Sequence, residues 1–174
     1  MAITNTNLKW FYSGGASNSD PSLSFGGTKS SETLALTLLN NLFDNVSGDE
    51  AVAGRTEYRL LYFQNDDADS DGLMTPVKLW IVNQPTGQDS MEIGLAYGSG
   101  SPKNAVEPAP ANDTSAPPNV SFSAPSSKGT GISLPSPPYT TGQFIGVWFK
   151  RIVPSGASVA VSDGFQWRIE GDTV

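Results

Sequence analysis

Side chains that usually carry chemistry are scarce in this sequence. It holds no histidine and no cysteine, so imidazole bases, thiolate nucleophiles and Cys/His metal sites are excluded at the outset. The densest acidic cluster is Asp67-Ala68-Asp69-Ser70-Asp71-Gly72. That spacing can turn alternate carboxylates onto a hard cation, with glycine permitting the sharp turn. A calcium loop of this kind needs a bidentate glutamate at its twelfth position, and Lys78 stands there instead. Asp67, Asp69 and Asp71 are therefore read as a solvated loop tip, where aspartate favours turns and keeps strand edges apart. In the calcium alternative Asp66, Thr75 and backbone carbonyls complete the shell, and melting becomes chelator-sensitive.

Glycoside hydrolysis needs two carboxyl groups roughly 5 to 10 Å apart across a cleft. Glu57, Glu92, Asp163 and Glu170 lie at or near strand patterns, yet their spacing singles out no pair. Serines are plentiful, but without imidazole no Ser-His-Asp arrangement exists within the chain. The nearest Ser-Lys approach, Ser126-Ser127-Lys128, falls in a proline-rich loop, a poor place to deprotonate a lysine. Gly98-Ser99-Gly100 and Gly129-Thr130-Gly131 lack the lysine and following helix of a phosphate loop. The Asn-X-Ser/Thr triplets at Asn45, Asn112 and Asn119 are read as coincidences of composition. Trp10, Trp80, Trp148 and Trp167 could stack sugar rings if exposed, but each sits beside aliphatics in a strand pattern and reads as core. No catalytic, cofactor-binding or metal residue is assigned, and the chain is read as a binding protein rather than an enzyme.

The elements that would position these residues are strands. Residues 56–65 and 77–84 are apolar on both faces, which predicts central strands covered on two sides. Residues 8–12, 33–39, 91–97, 143–153 and 165–170 read as further strands, with Leu34, Leu36 and Leu38 alternating in the second of these. Residues 40–43 suggest a single helical turn and 44–54 a polar turn. Residues 98–142 hold nine of the thirteen prolines. Proline cannot donate to a ladder, so this stretch is expected to be an extended loop. Phe122, Ile132, Leu134 and Tyr139 would anchor it as an ordered arm over its own domain or a neighbour's, with residues 120–124 pairing briefly at an edge. About eight such strands predict one domain over residues 1–174, an all-β antiparallel sandwich of jelly-roll or Ig-like kind.

Composition agrees with that architecture. The 174 residues include 18 glycines and 13 prolines, and only 16% are charged, a poor basis for helix surfaces. A net charge of −7 with scattered basic residues argues against nucleic acid and anionic membranes as partners. No apolar run approaches the roughly 20 residues that span a bilayer. The first ten residues lack the basic and apolar regions of a signal peptide, which predicts synthesis and retention in a cytosol.

Several stretches resemble one group of tailed-bacteriophage virion proteins. They are Asn40-Asn41-Leu42-Phe43-Asp44-Asn45-Val46-Ser47 leading to Glu57-Tyr58-Arg59, the strand end Phe63-Gln64-Asn65, and Pro117-Pro118-Asn119-Val120-Ser121-Phe122-Ser123-Ala124-Pro125. Gly146-Val147-Trp148-Phe149-Lys150-Arg151-Ile152-Val153-Pro154 and Phe165 through Gly171-Asp172-Thr173 belong to the same pattern. The resemblance runs from about Thr33 onward and consists of strand sequences, with no catalytic signature. It implies a β-rich structural protein, a capsid decoration (cement) subunit outside the head. Such a subunit binds the major capsid protein and its own copies as a homotrimer, is made in the bacterial host cytoplasm, and uses no cofactor. A tail or baseplate module of adhesin type, binding carbohydrate, is the rival expectation. Contacts are expected from residues 98–142 and the first dozen residues.

Overall fold

Alternation along the sequence becomes alternation across two antiparallel sheets. A computed structural model of the chain describes residues 5–36, 38–67, 74–95, 103–135, 139–158, 160 and 163–173. Four strands form the first sheet: β1 (Leu8–Tyr12), β2 (Arg55–Asn65), β4 (Ser90–Leu95) and β6 (Phe144–Val153), in the order β1-β2-β6-β4. The second sheet holds β3 (Met74–Asn83), the two-residue β5 (Ile132–Ser133) and β7 (Gln166–Thr173), in the order β5-β3-β7. Every pairing is antiparallel. The chain is an all-β sandwich, as its period-two patterns predicted.

The main core lies between the sheets. Leu61, Phe63, Ile145, Val147 and Phe149 face Val77, Leu79 and Ile81, with Trp10 and Tyr12 closing one side. Trp10 ties the layers together, its ring centroid 5.3 Å from Phe63, 5.9 Å from Phe149 and 5.7 Å from Trp167. The tilted and edge-on arrangements suit aromatic quadrupoles. Trp10, Trp80 and Trp148 are buried, and Trp167 is half-buried.

The first sheet is also covered on its outer face. Phe11, Tyr58, Leu60, Tyr62 and Trp148 form a second apolar cluster there, with Phe25, Val120, Phe122 and Phe144 packed on it. The cover is the proline-rich arm together with residues 13–30. The Tyr58 N–H donates to the Asp113 carbonyl at 2.7 Å, and the Gly27 N–H donates to the Glu107 carbonyl at 2.7 Å. Ile93 and Ser123 exchange both backbone hydrogen bonds at the β4 edge, the brief pairing predicted for residues 120–124. The arm approaches so closely that a Cβ on Gly94 would lie 2.6 Å from Val120 Cγ1 and 2.8 Å from the Ser121 carbonyl oxygen. Only glycine fits beneath it. Beyond Ser123 the arm crosses to the second sheet, where the Ile81 N–H donates to Pro125 and β5 pairs with β3. The described part of the arm thus wraps its own domain.

Four local expectations are corrected. The described residues of 33–39 form no strand. Thr33 bridges Phe11, Leu34 is buried, and the chain then turns at Ala35, leaving Leu36 72% and Leu38 65% exposed. Period two describes an amphipathic strand, but a ladder also needs a partner edge to continue along. Residues 40–43 are bends rather than a helical turn, with Asn40 at φ 57°. The polar turn at 44–54 contains a short helix, α1 (Gly48–Ala53). Ser47 Oγ accepts the Glu50 N–H at 3.2 Å, and Glu50 accepts the Ser47 N–H at 2.8 Å, a complete capping box. β3 starts earlier than expected, at Met74, with a register shift before Val77 where Pro76 lacks a donor. Residues 96 and 97 of the predicted 91–97 strand lie outside the described residues.

Candidate functional site

The candidate acids meet different fates, and alternation explains most of them. Glu57 has the inward parity of Leu61 and Phe63, whereas Glu92 points to the outer face with Lys150. Two carboxylates on opposite faces of one sheet cannot flank a single glycosidic bond.

Glu57 is the hub of a buried charge cluster. Its side chain is 1% exposed and accepts from Arg151 through Nε at 2.9 Å and through a second guanidinium nitrogen. Arg55 Nε lies 3.1 Å away and Arg59 3.7 Å away. Arg59 and Arg55 also reach Asp113 in the arm, at 3.1 and 3.3 Å. Arg151 and Arg59 lie 4.8 and 5.3 Å from the centroid of the Phe43 ring. Guanidinium forks suit such sharing, and the aromatic face adds a cation–π contact on the remaining side. This arrangement fastens segment 43–57 and the arm to β6.

Glu92 accepts from Lys150 Nζ at 2.8 Å. Glu170 accepts from Lys128 Nζ at 2.5 Å, and this hydrogen bond lowers the carboxyl pKa while raising that of the ammonium. Lys128 is thus held protonated and does not serve as a base for Ser127, whose hydroxyl contacts Thr130. Of the acidic loop, Asp69 and Asp71 lie outside the described residues. Asp67 is buried and accepts from Asn7 Nδ2 at 3.3 Å. Among the described residues no cluster of three or more carboxylates could hold a metal ion.

Asp163 does meet another acid, one the sequence did not single out. Its Oδ1 accepts the N–H groups of Thr86 (2.6 Å) and Gly164 (3.0 Å) and the Thr86 hydroxyl, while Oδ2 accepts the Gly87 N–H at 2.9 Å. Burial pushes the Asp163 carboxyl up, but the hydrogen bond from Asp89 and those from Thr86 and Gly87 outweigh it and hold the pKa low. Asp89 is the partner that holds its proton to the higher pH. Burial first, then the hydrogen bond and charge of Asp163, raise its pKa to about 6. The pair ties the β3–β4 turn to the β6–β7 loop.

That tie lies at an open groove of about 1310 Å³ lined by residues of both sheets. One wall is β7 with Phe165, which presents Phe165, Trp167 and Ile169. Leu36, Leu38 and Leu39 also line the groove, and Leu39 is 84% exposed. Leu8, Trp10, Leu42 and Met91 line the floor. Large aliphatic side chains clustered in water are uncommon on a monomer and mark contact surfaces. The alternating leucines of residues 33–39 were legible in the sequence, but as a strand's inner face. Nothing there signalled that they would be left in solvent.

No protein-family model, curated protein or solved structure matches the chain.

Proposed function

We propose that this chain is a non-enzymatic structural protein of a tailed-bacteriophage particle. It is a decoration subunit that binds the outside of the major capsid protein lattice and stabilises the head. The observation that carries the adhesive part is the groove walled by Leu36, Leu38 and Leu39, apolar surface that solvent disfavours and a partner would bury. The paired states of Glu57, Glu92 and Glu170 support a holding role over a hydrolytic one. The lattice itself, the homotrimeric state and assembly in the host cytoplasm come from the resemblance of the strand sequences to phage virion proteins. Weak contacts repeated over such a lattice add up by avidity. The carbohydrate-binding rival gains less, because the large apolar side chains exposed among the described residues are all aliphatic.

The test is reattachment. Heads stripped of the protein and refilled with it should regain resistance to heat, and a variant carrying Leu36→Ser, Leu38→Ser and Leu39→Ser should fold normally yet fail to bind. Equal heat resistance of stripped and refilled heads overturns the reading, as does turnover of a glycan by the purified chain.

A further inference from the structure

Sheet edges are hazards that folded proteins cover, shorten or charge, and three of the four edges here are managed. At β1, the Tyr12 N–H donates to Glu32, and Ser30 and Leu34 donate to Tyr12 and Trp10, at 2.7 to 3.1 Å. At β4, Ser123 of the arm completes the ladder. The edge strand β5 is only two residues long. β7 is different. It runs for eight residues, is bonded to β3 on one side, and closes its sheet without a covering segment among the described residues. Phe165 just before it and its core-side residues Trp167 and Ile169 are half-buried, whereas Ile145, Val147 and Phe149 on β6 are fully buried.

We propose that the free edge of β7 takes up an extended partner segment with alternating apolar side chains and lysine or arginine at its ends, added as a further strand. The inference rests on the adhesive reading above and names the chemistry of the partner at the same groove. Strand addition supplies main-chain hydrogen bonds for affinity and pockets for alternate side chains for specificity. The inward side chains of the added strand would enter the space between Trp167 and the three leucines. At about 1310 Å³ the groove exceeds the roughly 300–1,000 Å³ typical of small-molecule sites, which suits a length of chain.

Charge selects the partner. Asp44, Asp89, Asp163 and Glu170 line the groove with Arg151 and Arg168; Arg151 is engaged by Glu57 and Asp44, and Glu170 by Lys128, which leaves the Asp89–Asp163 pair as the acidic feature of the rim. A second copy of a chain with net charge −7 would bring one acidic rim against another. A basic-ended segment meets the opposite sign and is steered towards it.

The probe is a synthetic peptide of alternating valine and threonine with paired lysines at both ends, added to the full chain. Uptake should slow hydrogen exchange at amides of residues 166–172, change tryptophan emission, and weaken as salt is raised. Replacing the lysines by glutamates, or N-methylating alternate core amides, should each lower affinity by about tenfold or more. Equal binding of the N-methylated peptide overturns strand addition, and equal binding of the glutamate-ended peptide overturns the charge preference. No uptake at millimolar peptide overturns the inference as a whole. So does concentration-dependent dimerisation that protects β7 by itself, which makes a second copy the occupant. Reattachment to stripped heads without peptide uptake sinks this inference and leaves the adhesive function standing. Uptake without reattachment does the reverse.

Discussion

The two sheets of this sandwich are finished to different degrees. In the first, the last nine residues of β2 are buried, because core packs on one face and the arm on the other. Its edges are bonded to segments 30–34 and 120–124. The second sheet shares the same core, yet its outer face carries Lys78, Arg168 and Glu170, and no described segment pairs with the outer edge of β7. One sheet has consumed its apolar surface internally, and the other retains some beside a ladder that can be extended. Buried apolar packing is concentrated on the first layer, and exposed aliphatic surface lies beside the second.

Substitutions in the first layer should therefore cost stability, and those on the second should not. The largest loss is expected at the Glu57 hub. Glu57→Gln removes the charge that three buried or half-buried guanidiniums share, and breaking a buried ion pair costs about 3–5 kcal/mol. Urea denaturation measures it; a loss near zero would mean that the arm and segment 43–57 are held by packing alone.

Glu107 provides the next test. This arm residue is 3% exposed, its Oε1 has no hydrogen-bond partner, and burial raises its pKa to about 7. A carboxyl raised above its ordinary value of 4.5 favours the folded state when protonated. That contribution is complete below the unfolded value and lost as pH rises through about 7. Stability should fall between about pH 5 and pH 8, and Glu107→Gln should flatten the dependence and stabilise the chain at the alkaline end. A wild-type profile unchanged by the substitution would show that this carboxyl is not the one sensed.

A smaller effect should follow Tyr62→Phe. The hydroxyl donates to the Gly27 carbonyl at 2.7 Å and accepts the Glu107 N–H at 2.9 Å, stitching both covering segments to β2. Its removal leaves buried backbone groups unpaired, worth about 1–3 kcal/mol, and should raise protease sensitivity in residues 103–118. On the second sheet, Lys128→Ala should leave the denaturation midpoint unchanged, because exposed ion pairs contribute little. A clear loss there would erase the contrast between the layers.

Much of this was readable from residue patterns. The two-sided apolar run of residues 56–65 predicted a covered central strand, and the prolines of residues 98–142 predicted an extended arm, because both follow from local chemistry. The α1 helix was also signalled, by Ser47 and Glu50 three residues apart, though the polar run around them reads as turn. Residues 33–39 misled because alternation describes a side chain's preferred surroundings but not whether a strand edge is available. Glu57 looked like any strand acid. Its role depends on Arg151, ninety-four positions away, so no local pattern could reveal it.

The sequence alone determined that this protein is built of strands, that imidazole and thiol chemistry are closed to it, and that it is acidic. These properties belong to residue types and short spacings, which hold in any conformation. Tertiary structure alone decided which apolar residues are covered and which are left in water, and which strand edge is left without cover. Covering a surface depends on segments far apart in the chain reaching it, and among the described residues the arm covers the outer face of the first sheet while the outer edge of β7 and the three leucines stay uncovered.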